Sequence, residues 1–330
     1  MAKRVILLGL LSVLLTTGCP SPTSALDPRG PAAARLADLW WLMFWLSVAV
    51  FVLVLAALAY AVYRARSARA APPPLSDLKL IVGGGVIMPA IILVPLLVVT
   101  VRTSSALISD APASVLTIEV TSHQFWWEIH YPDHGVTTAN EIHIPVGQPV
   151  KLLLHSADVI HSFWVPPLHG KLDLNPGHPN TLVLQADQVG VYRGLCAEYC
   201  GIQHALMHFM VIAEPADQFT AWLVRQRQPA PLPTTSLVQQ GRQVYSDAGC
   251  ASCHAIRGTD SLGTRGSVGP DLTHLASRRT LAAAVIENTR ENLARWIRDP
   301  HSIKPGVRMP ETNLDERSLN ALLAYLETLR

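Results

Sequence analysis

Two uncharged stretches, Leu39 to Tyr63 and Leu80 to Val101, constrain this 330-residue chain more than any other feature. They hold 25 and 22 residues, and about 20 apolar residues suffice to cross a hydrocarbon core of about 30 Å. Stretches of that length read as a membrane hairpin over residues 39–101 rather than as core helices of a soluble protein. Trp40, Trp41 and Trp45 open the first stretch and suit the lipid–water interface. Pro89 and Pro95 are expected to kink the second. Between the two, Arg64, Arg66, Arg69 and Lys79 outnumber Asp77, which places the connection in the cytoplasm and both termini outside.

Ahead of the hairpin, Lys3 and Arg4 precede an uncharged segment from Val5 to Leu15 and then Thr16-Thr17-Gly18-Cys19. That is the layout of a bacterial export signal over residues 1–18, too short to span a bilayer. A cysteine after a small residue at its end is similar to a lipobox, in which Cys19 becomes the lipid-modified mature N-terminus. Ordinary cleavage nearby is the alternative.

The exported portion has two characters. From residue 110 to 215 short apolar or alternating stretches (115–120, 141–144, 151–155, 181–185, 190–196 and 207–213) are punctuated by Gly, Pro, Asn and Asp, the pattern of a β-sandwich. A short helix beginning near Pro215, with Phe219, Trp222 and Leu223 on one face, leads into a Pro-rich linker at 228–236. Residues 237–330 read as helices joined by Gly-rich loops, closing on the stripe Leu319, Leu322, Leu323 and Leu326. Residues 102–236 carry 6 basic and 11 acidic side chains and residues 237–330 carry 12 and 10, so the two pieces have opposite net charge. With 26 basic and 24 acidic residues in all and no basic cluster, nucleic acid is excluded as a partner.

The loop Cys196-Ala197-Glu198-Tyr199-Cys200-Gly201-Ile202-Gln203-His204-Ala205-Leu206-Met207 gathers two thiols, an imidazole and a thioether between two predicted strands. Soft sulfur with imidazole suits copper, and zinc would not need the methionine. Two thiolates can bridge two copper ions. A second histidine must then come from elsewhere, and His161 in Asp158-Val159-Ile160-His161-Ser162-Phe163 is the strongest choice. A Cys196–Cys200 disulfide would leave the added His and Met unexplained.

These residues resemble the CuA domain of cytochrome c oxidase subunit II, a cupredoxin sandwich preceded by a two-helix membrane hairpin, and the match runs through Ala213. The resemblance implies that Cys196 and Cys200 bridge the coppers, while His161, the Glu198 carbonyl, His204 and Met207 complete the two coordination shells. It also implies that the Glu198 side chain reaches a magnesium ion at the contact with subunit I. His123-Gln124-Phe125-Trp126-Trp127 matches the family's aromatic segment that receives electrons, which makes Phe125 and Trp126 the expected inlet. Phe125 stands where the family usually has tryptophan.

Cys250-Ala251-Ser252-Cys253-His254 is the attachment signature of a c-type haem, with Cys250 and Cys253 forming thioethers and His254 an axial ligand. The tail resembles an all-α class I cytochrome c. Its distal ligand is then Met309, in a Pro-flanked loop, with His301 as runner-up. Gly269-Pro270 resembles the segment whose proline carbonyl accepts a hydrogen bond from the ligating histidine.

Haem c and binuclear copper in one chain give an electron route, and the resemblance implies that the chain is the electron-receiving subunit of a haem-copper terminal oxidase. Electrons would pass from an upstream respiratory donor through haem c and CuA to subunit I, which reduces oxygen to water and translocates protons, and no oxygen-reducing residue is expected in this chain. The implied setting is the bacterial inner membrane, with both soluble domains on the periplasmic side and other membrane subunits alongside. The alternatives are a CuA subunit of a nitric oxide reductase and a non-catalytic membrane copper-binding protein. The five cysteines divide among copper, haem and processing, leaving none for disulfides.

Overall fold

The computed structural model of the chain describes residues 23–66, 77–107, 115–258 and 268–330. The export signal, Cys19 and Arg69 lie outside them. Both apolar stretches are helical: α1 spans Pro31–Arg66 and α2 spans Leu78–Leu107, each long and apolar enough to cross a membrane. The 36 residues of α1 reach about 54 Å at about 1.5 Å per residue, more than a bilayer core needs. The surplus lies at the N-terminal end, where Ala32, Ala33 and Ala37 are buried. There the Ala33 N–H donates to the Leu168 carbonyl (3.2 Å) and the Arg29 N–H to the Pro167 carbonyl (2.7 Å). A Cβ at Gly30 would overlap the Gln185 carbonyl oxygen, so only glycine lets the chain turn into α1 flush with the domain that follows. The helix starts before the uncharged stretch because its first turns pack on protein and tolerate Arg35 and Asp38. In α2 the turn over Gly83–Ile87 widens to a π-helix just ahead of Pro89, and Pro95 lies within the helix. Proline lacks the N–H for the ordinary helical bond and crowds the preceding turn, which the wider turn relieves.

The next domain is a sandwich of two five-stranded sheets built from β1 (Thr117–His123), β2 (Trp126–Tyr131), β3 (Val136–Ala139), β4 (Glu141–Pro145), β5 (Val150–Ser156), β6 (His161–Trp164), β7 (Leu172–Leu174), β8 (Asn180–Leu184), β9 (Gly190–Cys196) and β10 (His208–Glu214). The sheet orders are β3-β2-β1-β5-β8 and β4-β10-β9-β6-β7. Alternating burial along β1 and β5 sends Ile118, Val120, Leu152 and Leu154 into the core. There Trp127 meets Phe209 edge to face at 5.0 Å, and Phe163 stacks on Phe209 at 4.6 Å. Helix α3 (Ala216–Gln226) buries Phe219, Trp222 and Leu223, as its sequence stripe predicts, and Trp222 stacks on His143 at 4.1 Å.

The tail holds α4 (Ser236–Asp247), a two-stranded ribbon of β11 (Thr280–Leu281) and β12 (Ile286–Glu287), α5 (Arg290–Arg298) and α6 (Glu316–Leu326). Thr235, Thr289 and Asp315 cap the three helices, each side chain accepting from the backbone N–H three residues on. Helix α4 crosses α6 at Gly241, where a Cβ would overlap the Ala321 carbonyl oxygen, and Tyr245 meets Tyr325 at 6.1 Å. The Pro-rich linker is extended but does not hang free at its start. Ala230 is buried and its N–H donates to the Arg257 carbonyl at 2.9 Å.

Candidate metal and haem centres

Strand β9 ends at Cys196, and the loop from there to β10 carries Cys200, a 3₁₀ turn over His204–Leu206, and Met207. Strand β6 pairs with β9 so that Phe163 lies opposite Cys196, which brings His161 over the loop from 35 residues upstream. One ligand atom from each of His161, Cys196 and Cys200 falls within 4.8 Å of the others, and all three residues are buried. The two Sγ atoms are 3.8 Å apart and unbonded. His161 Nδ1 lies 3.8 Å from Cys196 Sγ, and the Glu198 carbonyl oxygen lies 3.3 Å from the same sulfur. Around Cys200 Sγ, His204 Nδ1 and Met207 Sδ both sit at 3.9 Å. All six expected donor residues therefore converge on one buried pair of sulfurs. The Glu198 side chain points away to the surface, 3.7 Å from Lys171 Nζ.

Hydrogen bonding with Cys200 and His161 pushes the Cys196 thiol well down, while the same contact pushes Cys200 up. Burial acts to lower the His161 imidazole, but hydrogen bonds to Cys196 and Asp158 outweigh it and raise the group. One thiol held toward thiolate beside a second thiol, two imidazoles and a thioether is a donor set of the kind that copper takes.

Phe125 packs on this loop, with its ring 3.1 Å from where a Gly201 Cβ would stand. Gln124 beside it donates from Nε2 to the Cys200 carbonyl at 2.7 Å. Trp126 is buried and stacks on His123 at 4.4 Å.

In the tail, Cys250 and Cys253 are half-buried, and burial pushes the Cys250 thiol up. Burial also lowers the His254 imidazole, against its Nδ1 hydrogen bond to the Pro270 carbonyl at 2.8 Å. That bond leaves Nε2 as the ring nitrogen that could take a ligand. A Cβ at Gly269 would come within 2.6 Å of His254 Cε1, so glycine is what permits the close approach. The arrangement suits a covalent c-type haem with histidine on one face. Met309 is half-buried in the loop before α6. His301 Nδ1 accepts the Gly306 N–H at 3.3 Å and so helps to close that loop.

Sequence reasoning passed over Asp158, whose Oδ1 holds His161 Nε2 at 2.8 Å. Its place three residues before the histidine was the available signal. It also passed over Glu141, Gln124 and Lys304, whose partners are distant in sequence.

Comparison with known proteins agrees with this layout. The family described as cytochrome C oxidase subunit II, periplasmic domain, matches residues 134–214, and the family described as cytochrome c matches residues 238–330. Cytochrome c oxidase subunit 2 of Alkalihalophilus pseudofirmus is 38% identical over 348 residues, covering 100% of this chain and 97% of that protein. The Bacillus subtilis protein of the same name is 33% identical, covering 99% and 98%. Quinol oxidase subunit 2 of Bacillus subtilis is 31% identical, covering 69% of this chain and 74% of its own. Among solved structures, the periplasmic domain of subunit II of cytochrome oxidase from Bradyrhizobium japonicum aligns at a TM-score of 0.35 and 28% identity, covering 36% of this chain and 97% of that one.

Proposed function

Since the chain belongs to the cytochrome c oxidase subunit 2 family and continues into a cytochrome c domain, we propose that it is the electron inlet of a haem-copper terminal oxidase in a bacterial inner membrane. In this reading Cys250 and Cys253 bind haem c covalently, with His254 and Met309 as its axial ligands. His161, Cys196, the Glu198 carbonyl, Cys200, His204 and Met207 hold a copper pair. When bound, the two centres supply one-electron transfer, from an upstream respiratory donor through haem c and copper to subunit I, where oxygen is reduced to water and protons are moved.

The observation that carries this reading is the convergence of the six donor residues on one buried sulfur pair. The chain's own contribution is rigidity. Strands β6, β9 and β10 fix the donors, Trp127 and Phe163 exclude water behind His161, and Asp158 orients its ring. A donor set that need not rearrange suits fast transfer, and contacts behind the ligands tune the potential. Phe125 and Trp126, beside the copper loop, line the inlet. In the same reading the Glu198 carboxylate, which faces outward next to Lys171, serves a magnesium ion at the contact with subunit I, and Cys19 serves as a lipid anchor. Both soluble domains then face the periplasm, and the loop between α1 and α2 the cytoplasm.

Electron paramagnetic resonance of the purified chain tests the copper assignment. One electron shared equally over two copper nuclei of spin 3/2 gives seven hyperfine lines, and a four-line pattern would reject the pair. Met309→Ala should alter the ligation-sensitive visible spectrum of the haem; an unchanged spectrum would move the axial role to His301.

A further inference from the structure

Glu141, 3% exposed, and Lys304, 1% exposed, are buried between the sandwich and the cytochrome c domain, and the buried guanidinium of Arg278 lies near Glu141. Glu141 opens β4. Its Oε1 accepts the Arg279 N–H (2.7 Å), the Thr280 N–H (3.0 Å) and the Thr280 hydroxyl (3.2 Å), all from the other domain. Lys304 stands in the loop that leads to Met309 and donates from Nζ to the Phe125 carbonyl at 3.1 Å. Burial pushes its amine down to about 7, and the charged and neutral forms both keep an N–H for that carbonyl.

The stretch between these anchors is also built. The His208 N–H donates to the Ala283 carbonyl at 3.1 Å. Ala283 lies in a run, Ala282 to Ala284, held at φ of 55°, 58° and 58°, a conformation that alanine keeps only where its surroundings impose it. Gln203 donates to the Pro305 carbonyl, Ile202 packs on Gly306, and Arg308 donates to Gln124 Oε1 at 2.7 Å. The Met309 loop therefore rests directly on the loop that carries Cys200.

We propose that Glu141 and Lys304 are positioning residues that lock the cytochrome c domain in one pose on the sandwich, with the Met309 loop pressed against the copper loop. Burying a carboxylate or an amine is costly unless its partner sits in fixed geometry, so these two groups penalise any docked pose that buries them without these partners. The docking itself does not depend on the proposed electron route, although Lys304 reaches the Phe125 backbone beside it; only the kinetic readout below rests on that route.

The test uses the full detergent-solubilised chain with its cofactors and a protease site inserted within residues 231–234, an exposed part of the linker. After cleavage the two pieces should remain together through size-exclusion chromatography. Glu141→Ala and Lys304→Met should each weaken the association of the cleaved pieces by roughly tenfold or more, as expected for a lost hydrogen bond to a charged group. Glu141→Gln, which keeps an accepting oxygen, should recover most of the loss. Haem-to-copper transfer after flash reduction should slow in the Ala and Met variants, with haem and copper spectra unchanged. Cleaved wild-type pieces that separate at micromolar concentration, or variants that associate as tightly as wild type, would overturn the proposal, as would variants whose spectra change along with their association. Absence of the seven-line pattern with pieces still associated would sink the copper assignment and leave the docking standing.

Discussion

Asp158 decides which nitrogen of His161 faces the sulfurs. Its Oδ1 takes Nε2, so Nδ1 is the atom left toward Cys196. Burial acts to raise the Asp158 carboxyl, but hydrogen bonds from His161 and from the Val159 and Gln124 N–H groups hold it below its ordinary value. A carboxylate so held keeps the imidazole in one orientation and makes it a better donor. Asp158→Ala should lower copper affinity by about 10- to 100-fold, the usual effect of removing such a support. Competition against a chelator of known copper affinity checks this, with circular dichroism confirming the sandwich. Unchanged affinity would mean that strand β6 alone fixes the ring.

Helices α4 and α6 approach closely because Gly241 presents bare backbone to the Ala321 carbonyl, and Tyr245 and Tyr325 close the crossing beside it. Gly241→Ala gains helix propensity on α4 but forces the two helices apart, and overpacking of this kind costs about 1–3 kcal/mol. The cytochrome c domain should therefore unfold at lower denaturant, followed by haem absorbance, while the copper-type domain is unaffected. The leucine stripe that α6 buries was legible in the sequence because apolar spacing along one helix is a local signal. The donor loop was legible for the same reason, since five of its six donor residues lie between Cys196 and Met207. Strands β2, β3, β6 and β7 were missed. Trp126–Tyr131 alternates from Trp127 onward, with Trp127, Ile129 and Tyr131 buried, a periodic signal that was passed over, whereas three of the four residues of Val136–Ala139 are threonine or alanine, and β6 and β7 are only four and three residues long. Segments like the last three become strands only because neighbours in the sheet supply the hydrogen bonds. Glu141 and Lys304 were invisible for a related reason, as their partners lie 138 and 179 residues away.

Across the whole molecule, a Pro-rich linker joins two soluble pieces of opposite net charge, a pattern that by itself fits a tethered domain drawn by long-range attraction. The contacts seen are of another kind. Arg257 donates to the carbonyls of Gln226 and Gly135, Lys304 to that of Phe125, and Arg308 to the side-chain oxygen of Gln124, so basic groups of the tail meet neutral oxygens of the sandwich. Contacts to neutral oxygens set no opposite charge against these groups, and those of Lys304 to Phe125 and Arg257 to Gln226 are partly buried, so salt screens them less than exposed ion pairs. The distinction can be measured by lengthening the linker within residues 231–234 with a flexible Gly/Ser segment. For a domain that merely roams on a tether, effective concentration falls roughly as the −3/2 power of linker length, and haem-to-copper transfer slows with it. A docked domain does not sense the added length. We expect the transfer rate after flash reduction to stay constant as the linker is lengthened and as ionic strength is raised. A rate that falls along the tether curve would show that the linker, and not the interface at Glu141 and Lys304, brings the two centres together.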